Sequence, residues 1–290
     1  MKKVKELVII SGKGGTGKTT LTSSFASLMK NKIIVDADAD AADMFILMKP
    51  NVKATHKFRG KAVAVIDQEK CTSCGLCKKL CRFDAIKVIN EKYSVDPVKC
   101  DSCTLCQIAC PENAIEMEDQ ISGEWFESET AYGTMVHARL TPGAENSGNL
   151  VTMVKHRAHI LSEEKAMDYI LVDGSPGIGC PVISTISGAA FVVIVTEPTQ
   201  SGIHDLKRVK KLCDSFKIES GVVVNKYDLN EDITNKIKQF AEDHKMPFLG
   251  MVPFDKCVID ALVNKKLAVE YCDNLKQPIK DIFNRSVERL

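Results

Sequence analysis

The sequence predicts an α/β protein with a doubly wound, mostly parallel sheet, into which a small α+β domain is inserted. Three observations lead to this fold class. Short apolar runs alternate with longer stretches of helical periodicity, a glycine-rich loop directly follows the first apolar run, and eight of the 12 cysteines lie between residues 71 and 110. Alternating strands and helices are typical of a parallel sheet with helices on both faces.

Five short apolar runs are predicted as buried strands, because they are too short for core helices. They are Leu7–Ile10, Ile33–Val35, Tyr169–Val172, Phe191–Thr196 and Val222–Val224. Longer stretches with apolar residues at helical spacing are predicted as the helices that connect these strands. They are Leu21–Lys30, Leu150–Glu164, His204–Phe216, Glu231–His244 and a last helix that begins at Leu275.

Composition and charge exclude several classes of protein. The 290 residues contain 39 Lys and Arg and 38 Asp and Glu, so a net charge of +1 gives no reason to expect a nucleic-acid or membrane partner. The first apolar run stops at Ser11, too soon for a signal peptide. The longest later run, Ala189–Val195, is far below the roughly 20 residues that cross a bilayer. We therefore expect a reducing, cytoplasmic location, where clustered cysteines are metal ligands more often than disulfides.

The clustered cysteines form two identical runs with the spacing C-x-x-C-x-x-C-x-x-x-C. The first run is Cys71, Cys74, Cys77 and Cys81, and the second is Cys100, Cys103, Cys106 and Cys110. The offset of 29 residues also relates further pairs, which are Asp67 and Asp96, Lys70 and Lys99, Ala85 and Ala114, and Ile86 and Ile115. This internal duplication indicates two copies of one structural unit. Zinc is the alternative metal for these cysteines, but zinc motifs usually separate two C-x-x-C pairs by a longer loop.

This segment strongly resembles the bacterial two-cluster ferredoxins. The resemblance implies two 4Fe–4S clusters, each held by three cysteines of one run and the last cysteine of the other. One cluster would take Cys71, Cys74, Cys77 and Cys110, and the other Cys81, Cys100, Cys103 and Cys106. Arg82 departs from the pattern, because it stands where the first run would normally have proline. The two runs also differ in charge, with Lys78, Lys79, Arg82 and Lys87 at the first and Glu112, Glu116, Glu118 and Asp119 after the second.

The glycine-rich loop matches G-x-x-x-x-G-K-[ST] between a predicted strand and a predicted helix, the context of a phosphate-binding loop. Its candidate ATP-binding residues are Gly12, Lys13, Gly14, Gly15, Thr16, Gly17, Lys18, Thr19 and Thr20. Glycines let backbone N–H groups turn onto phosphates, and a helix N-terminus adds its positive end. We expect Lys18 to reach the β- and γ-phosphates and the Thr19 hydroxyl to bind Mg²⁺.

The additional Lys13 makes this loop similar to the deviant Walker A loop of the superfamily that contains MinD, ParA, Mrp and the nitrogenase iron protein. The resemblance implies binding of ATP or ADP with Mg²⁺ and a dimer with nucleotide at its interface. In that dimer Lys13 would cross to the partner's nucleotide and, with Lys18, act in hydrolysis. The dimer would be a homodimer or a heterodimer with a paralogous ATPase.

The same resemblance assigns roles to residues that end predicted strands. Asp36 would order the Mg²⁺ shell, Asp38 would hold the attacking water, and Asp173 would match the Walker B carboxylate beside Mg²⁺. Asn225 would hydrogen-bond the adenine edge, and Pro253 would line the base from the other side.

The order of the motifs implies a discontinuous ATPase domain, 1–60 and 121–290, with an inserted ferredoxin domain at 61–120. The leading hypothesis is a nucleotide-dependent dimer that couples ATP turnover to electron transfer through the two clusters. Its partner would be a redox protein or a small protein with an iron–sulfur or metal cofactor. One alternative is an iron–sulfur scaffold or carrier of the Mrp type. Another is a spatial organiser of the MinD/ParA type with a ferredoxin module for sensing or docking.

The remaining cysteines and histidines carry weaker indications. Cys180 lies seven residues after Asp173, the offset at which the nitrogenase iron protein has a ligand of its dimer-bridging cluster. The second bridging cysteine of that family has no clear counterpart, and a free cysteine is often a small buried hydrophobe. We expect the other three cysteines to be isolated packing residues and three histidines to be solvated or on helix faces; these are Cys213, Cys257 and Cys272, and His137, His156 and His159.

Overall fold

A computed structural model describes residues 4–39, 41–142, 144 and 148–290. The chain divides into two compact units. The first, called the sheet unit, comprises Met1–Thr55, Trp125–Arg139 and Asn146–Leu290. The second, called the cysteine unit, comprises His56–Glu124 and Leu140–Glu145, and the predicted insert 61–120 falls inside it.

The main sheet has nine strands in the order β11-β10-β9-β1-β8-β2-β7-β6-β3. The pairs from β11 to β7 are all parallel, which confirms the predicted mostly parallel α/β sheet. A separate antiparallel pair is formed by β4 and β5. The strands are β1 Lys5–Ser11, β2 Lys32–Asp36, β3 Asn51–Ile66, β4 Ile86–Ile89, β5 Lys92–Val95, β6 Ile115–Thr130, β7 Gly133–Leu140, β8 Tyr169–Asp173, β9 Phe191–Thr196, β10 Ser220–Asn225 and β11 Phe248–Val252.

The helices of the sheet unit follow its strands and bury their apolar faces on the central core. That core includes Leu7, Phe25 and Val193, which have no exposed surface. Long helices are close to the predicted ones, whereas several short helices were not predicted. The helices are α1 Lys18–Leu28, α2 Met44–Met48, α3 Leu76–Leu80, α4 Leu105–Ile108, α5 Gly148–Glu164, α6 Cys180–Ile186, α7 Gln200–Ser215, α8 Glu231–Asp243, α9 Cys257–Val263, α10 Ala268–Tyr271 and α11 Asp273–Val287. No helix within the described ranges is long and apolar enough to span a bilayer.

The duplication in the sequence of the cysteine unit is also seen in its backbone hydrogen bonds. The Asp67 N–H donates to the Ala114 carbonyl at 2.8 Å, and the equivalent Asp96 N–H donates to the Ala85 carbonyl at 2.7 Å. Each bond joins the start of one repeat to the end of the other. The repeats are therefore paired through crossed, equivalent hydrogen bonds.

Two of the cysteines expected to be isolated are joined. Cys257 and Cys272, at the starts of α9 and α11, form a disulfide across 15 residues. The expectation of isolated packing residues is wrong for this pair, because α9 and α11 are both held against α10, which brings the two thiols together. Cys213 is fully buried on α7, in agreement with a packing role.

One histidine differs from the expectation, and another meets it with an added contact. His159 lies partly exposed on α5, as expected, and pairs with the buried carboxylate of Glu6, which in turn lies 2.9 Å from Lys155 Nζ. Lys155 also donates to the carbonyls of Thr185 and Ser187 at 2.7 Å each, so it holds the end of α6. His137 is buried on β7, where Ser128 Oγ lies 2.9 Å from its Nε2 atom. Residues Thr134 to Ala138 of β7 are all buried, so the strand is covered on both faces and His137 lies within that buried stretch.

His137 should make stability depend on pH. Burial, followed by the charge of Arg139, lowers the pKa of His137 from 6.5 to about 4. The unfolded chain then binds a proton below pH 6.5 that the folded chain does not, so stability falls as the pH falls. Between pH 7 and pH 5 we expect a loss of about 2 kcal/mol from this residue.

Urea unfolding followed by circular dichroism between pH 7 and pH 5 measures this loss. His137→Gln should flatten the pH dependence, although it lowers stability at pH 7. The exposed His244 supplies the matched control, and His244→Gln should leave the dependence intact. An equal slope in His137→Gln and the wild type would contradict the assignment.

Candidate nucleotide and cysteine sites

The phosphate-binding loop occupies residues 12–17, between β1 and α1. Gly15 and Gly17 have φ angles of 79° and 87°, which side-chain-bearing residues rarely adopt. A Cβ atom at Gly17 would lie 2.3 Å from Asn225 Nδ2, which donates to the Thr16 carbonyl at 2.8 Å. The end of β10 therefore holds the loop closely, and the loop leads into the N-terminus of α1, where an anion is favoured.

Lys18 lies in a buried cluster of carboxylates. Its side chain is 6% exposed, and its Nζ atom lies 3.1 Å from Asp38 Oδ2 and 3.1 Å from Asp173 Oδ1. Burial alone would lower the pKa of Lys18, but the charges of Asp173, Asp38 and Asp36 outweigh it and raise the pKa. The ammonium group is therefore held in its charged form.

The carboxylates meet because they end neighbouring parallel strands. Asp36 on β2 is paired in register with Asp173 on β8. Thr19 Oγ1 donates to Asp173 Oδ2 at 2.7 Å, and Thr22 Oγ1 donates to Asp173 Oδ1 at 2.8 Å. Burial, then the negative charges of Asp173 and Asp38, raise the pKa of Asp36 well above its usual range.

This arrangement fits a divalent cation. Three buried carboxylates, those of Asp36, Asp38 and Asp173, face the single positive charge of Lys18. Among the described residues Asp36 Oδ2 has no hydrogen-bond partner although it is buried. Carboxylate and hydroxyl oxygens are the ligands that Mg²⁺ prefers, so Thr19, Asp36 and Asp173 offer suitable donors.

The side chain of Lys13 binds Glu197 and Ser201 rather than the carboxylates of the cluster. Its Nζ atom lies 3.3 Å from Glu197 Oε2 and 3.3 Å from Ser201 Oγ. Glu197 also pairs with Lys226, whose Nζ atom donates to the Gly15 carbonyl at 3.3 Å. The segment after β9 and the first turn of α7 thus hold Lys13. Sequence reasoning missed Glu197, although its place directly after a predicted strand could have identified it.

A cavity of about 260 Å³ opens beside the loop. Predicted residues line one part of it, and apolar side chains of α9 and α11 line another. The predicted residues are Gly15, Gly17, Thr20, Asn225 and Pro253, and the apolar ones are Val258, Ile259, Leu262, Leu275 and Ile279. The cavity has the apolar walls and few polar groups that are typical of a small-molecule site. The part of the lining on α9 was not predicted, because α9 itself was not predicted.

The eight clustered cysteines line two cavities in the cysteine unit. Cys71, Cys74, Cys77 and Cys110 line one cavity. Cys81, Cys100, Cys103 and Cys106 line the other. Each cavity therefore takes three thiols from one run and the last thiol from the other, so the structure places together the same two sets of four that the resemblance implies.

The thiols of each set are close enough to influence one another. Burial, and further the proximity of Cys71, Cys74 and Cys110, raises the pKa of Cys77. In the other set burial raises the pKa of Cys106 in the same way, with contributions from Cys100 and Cys103. The Ala114 N–H donates to Cys110 Sγ at 3.3 Å.

Within the described residues no three His, Cys, Asp or Glu side chains are arranged around one metal ion. In the aspartate cluster, Lys18 Nζ lies between the carboxylates of Asp38 and Asp173, in the space where a metal ion bound by both would lie. In the cysteine unit, four thiols around one tetrahedral zinc ion would lie only about 3.8 Å apart, since Zn–S bonds are about 2.3 Å. A 4Fe–4S cluster needs a wider set, because each thiolate binds a different iron. The donor type, number and grouping of the thiols fit such clusters.

Cys180 lines neither cysteine cavity. It begins α6, is exposed, and follows the loop from residue 174 to residue 179. Its role as a ligand stays a prediction.

The chain is similar to known proteins over most of its length. Residues 7–269 match the family described as the CobQ/CobB/MinD/ParA nucleotide binding domain. An uncharacterized protein of Methanocaldococcus jannaschii is 30% identical over 288 residues, which cover 98% of this chain and 97% of that protein. A second uncharacterized protein of the same organism is 23% identical and covers 98% of each chain.

Solved structures of MinD proteins share the fold. The septum site-determining protein MinD of Pyrococcus horikoshii, complexed with Mg-ADP, has a TM-score of 0.59 at 17% identity and covers 98% of this chain and 96% of that one. The MinC:MinD cell division complex of Aquifex aeolicus has a TM-score of 0.58 at 19% identity, with the same coverage. At these identities the likeness shows the fold alone.

Proposed function

The chain belongs to the CobQ/CobB/MinD/ParA nucleotide-binding family, and from this premise we propose that it is a Mg²⁺-dependent ATPase whose nucleotide-driven dimer is coupled to electron transfer through two 4Fe–4S clusters. The observation that carries the proposal is the presence of both kinds of site in one chain. Two four-cysteine cavities lie in a segment inserted, along the chain, between Asp38 and Asp173 of the nucleotide site. The segments at Asp38 and Asp173 would respond to the γ-phosphate of ATP. Their movement could change the position of the cysteine-containing segment that joins them along the chain.

The nucleotide chemistry follows from the buried charges. Backbone N–H groups of the loop and the α1 N-terminus would bind the phosphates, and Lys18 would exchange its carboxylate partners for phosphate oxygens. Thr19, Asp36 and Asp173 would hold Mg²⁺, which would neutralise charge on the phosphates. Release of Lys18 would leave the Asp38 carboxylate available to accept a hydrogen bond from the attacking water. The adenine ring would occupy the cavity next to Asn225 and Pro253.

Lys13 would act in the dimer. It would leave Glu197 and reach the nucleotide of the partner, where a second positive charge stabilises the departing phosphoryl group. The partner would be a second copy or a paralogue. The two full-length relatives of Methanocaldococcus jannaschii support a paralogous pair, because one organism carries both.

Glu197→Gln should favour this dimer. Loss of the Glu197 charge frees Lys13, and a partly exposed ion pair of this kind is worth up to about 1 kcal/mol. We therefore expect half-maximal dimerisation at an ATP concentration about threefold lower, measured by light scattering with a variant that does not hydrolyse ATP. Glu219→Gln, which removes an exposed partner of Arg289, is the control. A dimer that forms no more readily in Glu197→Gln than in the control would count against this role of Glu197.

The two thiol sets would hold the clusters. Each bound cluster supplies a centre that accepts and gives one electron at a time. The chain itself shields the cavities with apolar side chains such as Ile66, Ile86 and Ile115, and it donates the Ala114 N–H to a ligand sulfur. A redox protein, or a small protein with an iron–sulfur or metal cofactor, would be the partner. We propose action in the cytoplasm, without nucleic acid or membrane.

Anaerobic measurement of the cluster potentials, and of electron transfer to an acceptor, tests the coupling. Both should change between ATP and ADP in the wild type and should not change in Lys18→Met. Cluster potentials and electron-transfer rates that are the same with ATP and with ADP would refute the coupling. They would leave the ATPase assignment intact.

A second candidate is favoured by the likeness to MinD, which includes a structure titled as a MinC:MinD complex. In that case the cysteine unit would sense redox state or dock a partner, and ATP would control the position of the protein in the cell. A localisation that is the same for ATP-locked and wild-type protein would exclude this candidate. Transfer of clusters to an apoprotein during ATP turnover would instead identify a carrier of the Mrp type.

A further inference from the structure

The first repeat of the cysteine unit carries a basic surface that the second lacks. Helix α3 and the residues after it present the exposed side chains of Lys78, Lys79 and Arg82. The equivalent positions at α4 are Gln107, Ile108 and Pro111. The second repeat has an equivalent helix and the same cysteine spacing without these cations. The fold of a repeat therefore does not require them.

Apolar side chains lie beside these cations. Leu76 and Phe83 are 37% and 43% exposed. We call Leu76, Lys78, Lys79, Arg82 and Phe83 together the α3 face. Exposed apolar groups with a charged rim are typical of surfaces that bind proteins transiently.

The α3 face lies over both thiol sets. Cys77 on α3 belongs to the first set and Cys81 directly after α3 belongs to the second. Leu76 lines the first cavity, and Phe83 lines the second. A molecule on this face would therefore be close to a ligand of each proposed cluster.

We infer that the α3 face is the docking surface for an acidic electron-transfer protein, one whose redox centre is rimmed by Asp and Glu side chains. The inference rests on the proposed function and specifies its partner. Charge complementarity selects this occupant, since the exposed Lys78, Lys79 and Arg82 lie next to Leu76 and Phe83 along the chain, and the acidic residues of the second repeat lie after α4 rather than on α3. The complex exchanges one electron at a time, so the partner is oxidised as the cluster is reduced, or the reverse.

Two variants with equal charge changes test the inference in the cluster-loaded protein. The first is Lys78→Gln/Lys79→Gln/Arg82→Gln on the α3 face. The control is Lys57→Gln/Arg59→Gln/Lys61→Gln, which removes two lysines and an arginine from β3 in the same unit. The iron content and circular dichroism spectra of both should equal those of the wild type.

Stopped-flow oxidation of the reduced protein measures steering by charge. The two oxidants are the anionic cobalt(III)–EDTA complex and the cationic hexaamminecobalt(III) ion, each of which takes one electron. At low salt we expect the rate ratio of anionic to cationic oxidant to fall about tenfold in the α3 variant and to stay within about twofold of wild type in the control. A changed cluster potential affects both rates in the same direction, so the ratio isolates the surface charge. An equal change of the ratio in both variants, or none in either, would overturn the inference.

A binding measurement does not depend on the clusters. Fluorescence anisotropy of a labelled oligoglutamate peptide should show an affinity about tenfold weaker in the α3 variant than in the control. Tighter binding of a single-stranded oligonucleotide at the same face would overturn the choice of an acidic protein. A purified protein without iron would refute the proposed function, whereas the peptide result would still decide for or against the α3 face.

Discussion

Replacing Lys18 with methionine is expected to abolish ATP hydrolysis and to destabilise the sheet unit. The substitution removes the ammonium group that lies 3.1 Å from Asp38 Oδ2 and 3.1 Å from Asp173 Oδ1. Removal of one partner from a buried ion pair costs about 3 kcal/mol, because it leaves an uncompensated buried charge. Loss of the group that would contact the β- and γ-phosphates should lower the hydrolysis rate about a thousandfold. Phosphate release and urea unfolding measure the two effects.

A second substitution separates the two effects. Lys18→Met/Asp38→Asn removes a negative charge together with the positive one, so it should recover part of the lost stability without restoring hydrolysis. Lys30→Met, at an exposed position just after α1, should change neither quantity. Hydrolysis by Lys18→Met at a rate near that of the wild type would contradict the role of Lys18.

The cysteine sets predict how iron content responds to mutation. A protein with two 4Fe–4S clusters holds about eight iron atoms, and loss of one ligand is expected to empty one cluster. Cys77→Ser and Cys110→Ser should therefore each leave about four iron atoms and give the same residual EPR spectrum, although these cysteines belong to different runs. Iron and sulfide assays with EPR at low temperature measure this result.

Pairs of substitutions test the crossed grouping. Cys77→Ser/Cys110→Ser should retain as much iron as either single variant, because both thiols line one cavity. Cys77→Ser/Cys106→Ser should retain none. Cys180→Ser should retain all of it, since Cys180 lines neither cavity. Equal iron in the two double variants would contradict the grouping.

The central sheet and the meeting of its carboxylates could be predicted from the sequence. The strands β1, β2, β8, β9 and β10 are buried on both faces, so each is a continuous apolar run in the sequence and is easily recognised, whereas β7 was not predicted. The ends of neighbouring parallel strands meet at one edge, which brings Asp36 to Asp173. The resemblance to two-cluster ferredoxins likewise implied which thiols would share a cavity.

The strands β3 and β6 could not be predicted in the same way. Both have 16 residues, and much of each is exposed, so that polar residues such as Lys57 and Arg59 interrupt the apolar pattern. β11 contains Gly250 with a φ of 149°, which is unfavourable for a strand prediction. The Cys257–Cys272 disulfide depends on how α9 and α11 pack against α10, and residue spacing alone does not determine that packing.

The crossed backbone bonds of the cysteine unit have a further consequence for how that unit could have arisen. The Asp67–Ala114 and Asp96–Ala85 bonds join each repeat to the other and not to itself, just as Cys110 and Cys81 do in the two cavities. This is the geometry of a domain-swapped dimer whose protomers have been fused into one polypeptide. An isolated repeat would lack both a backbone partner and a fourth thiol, so neither half is a module that recombination could move alone. The two halves are free to diverge in surface charge, however, because the shared contacts involve the backbone and the sulfur atoms.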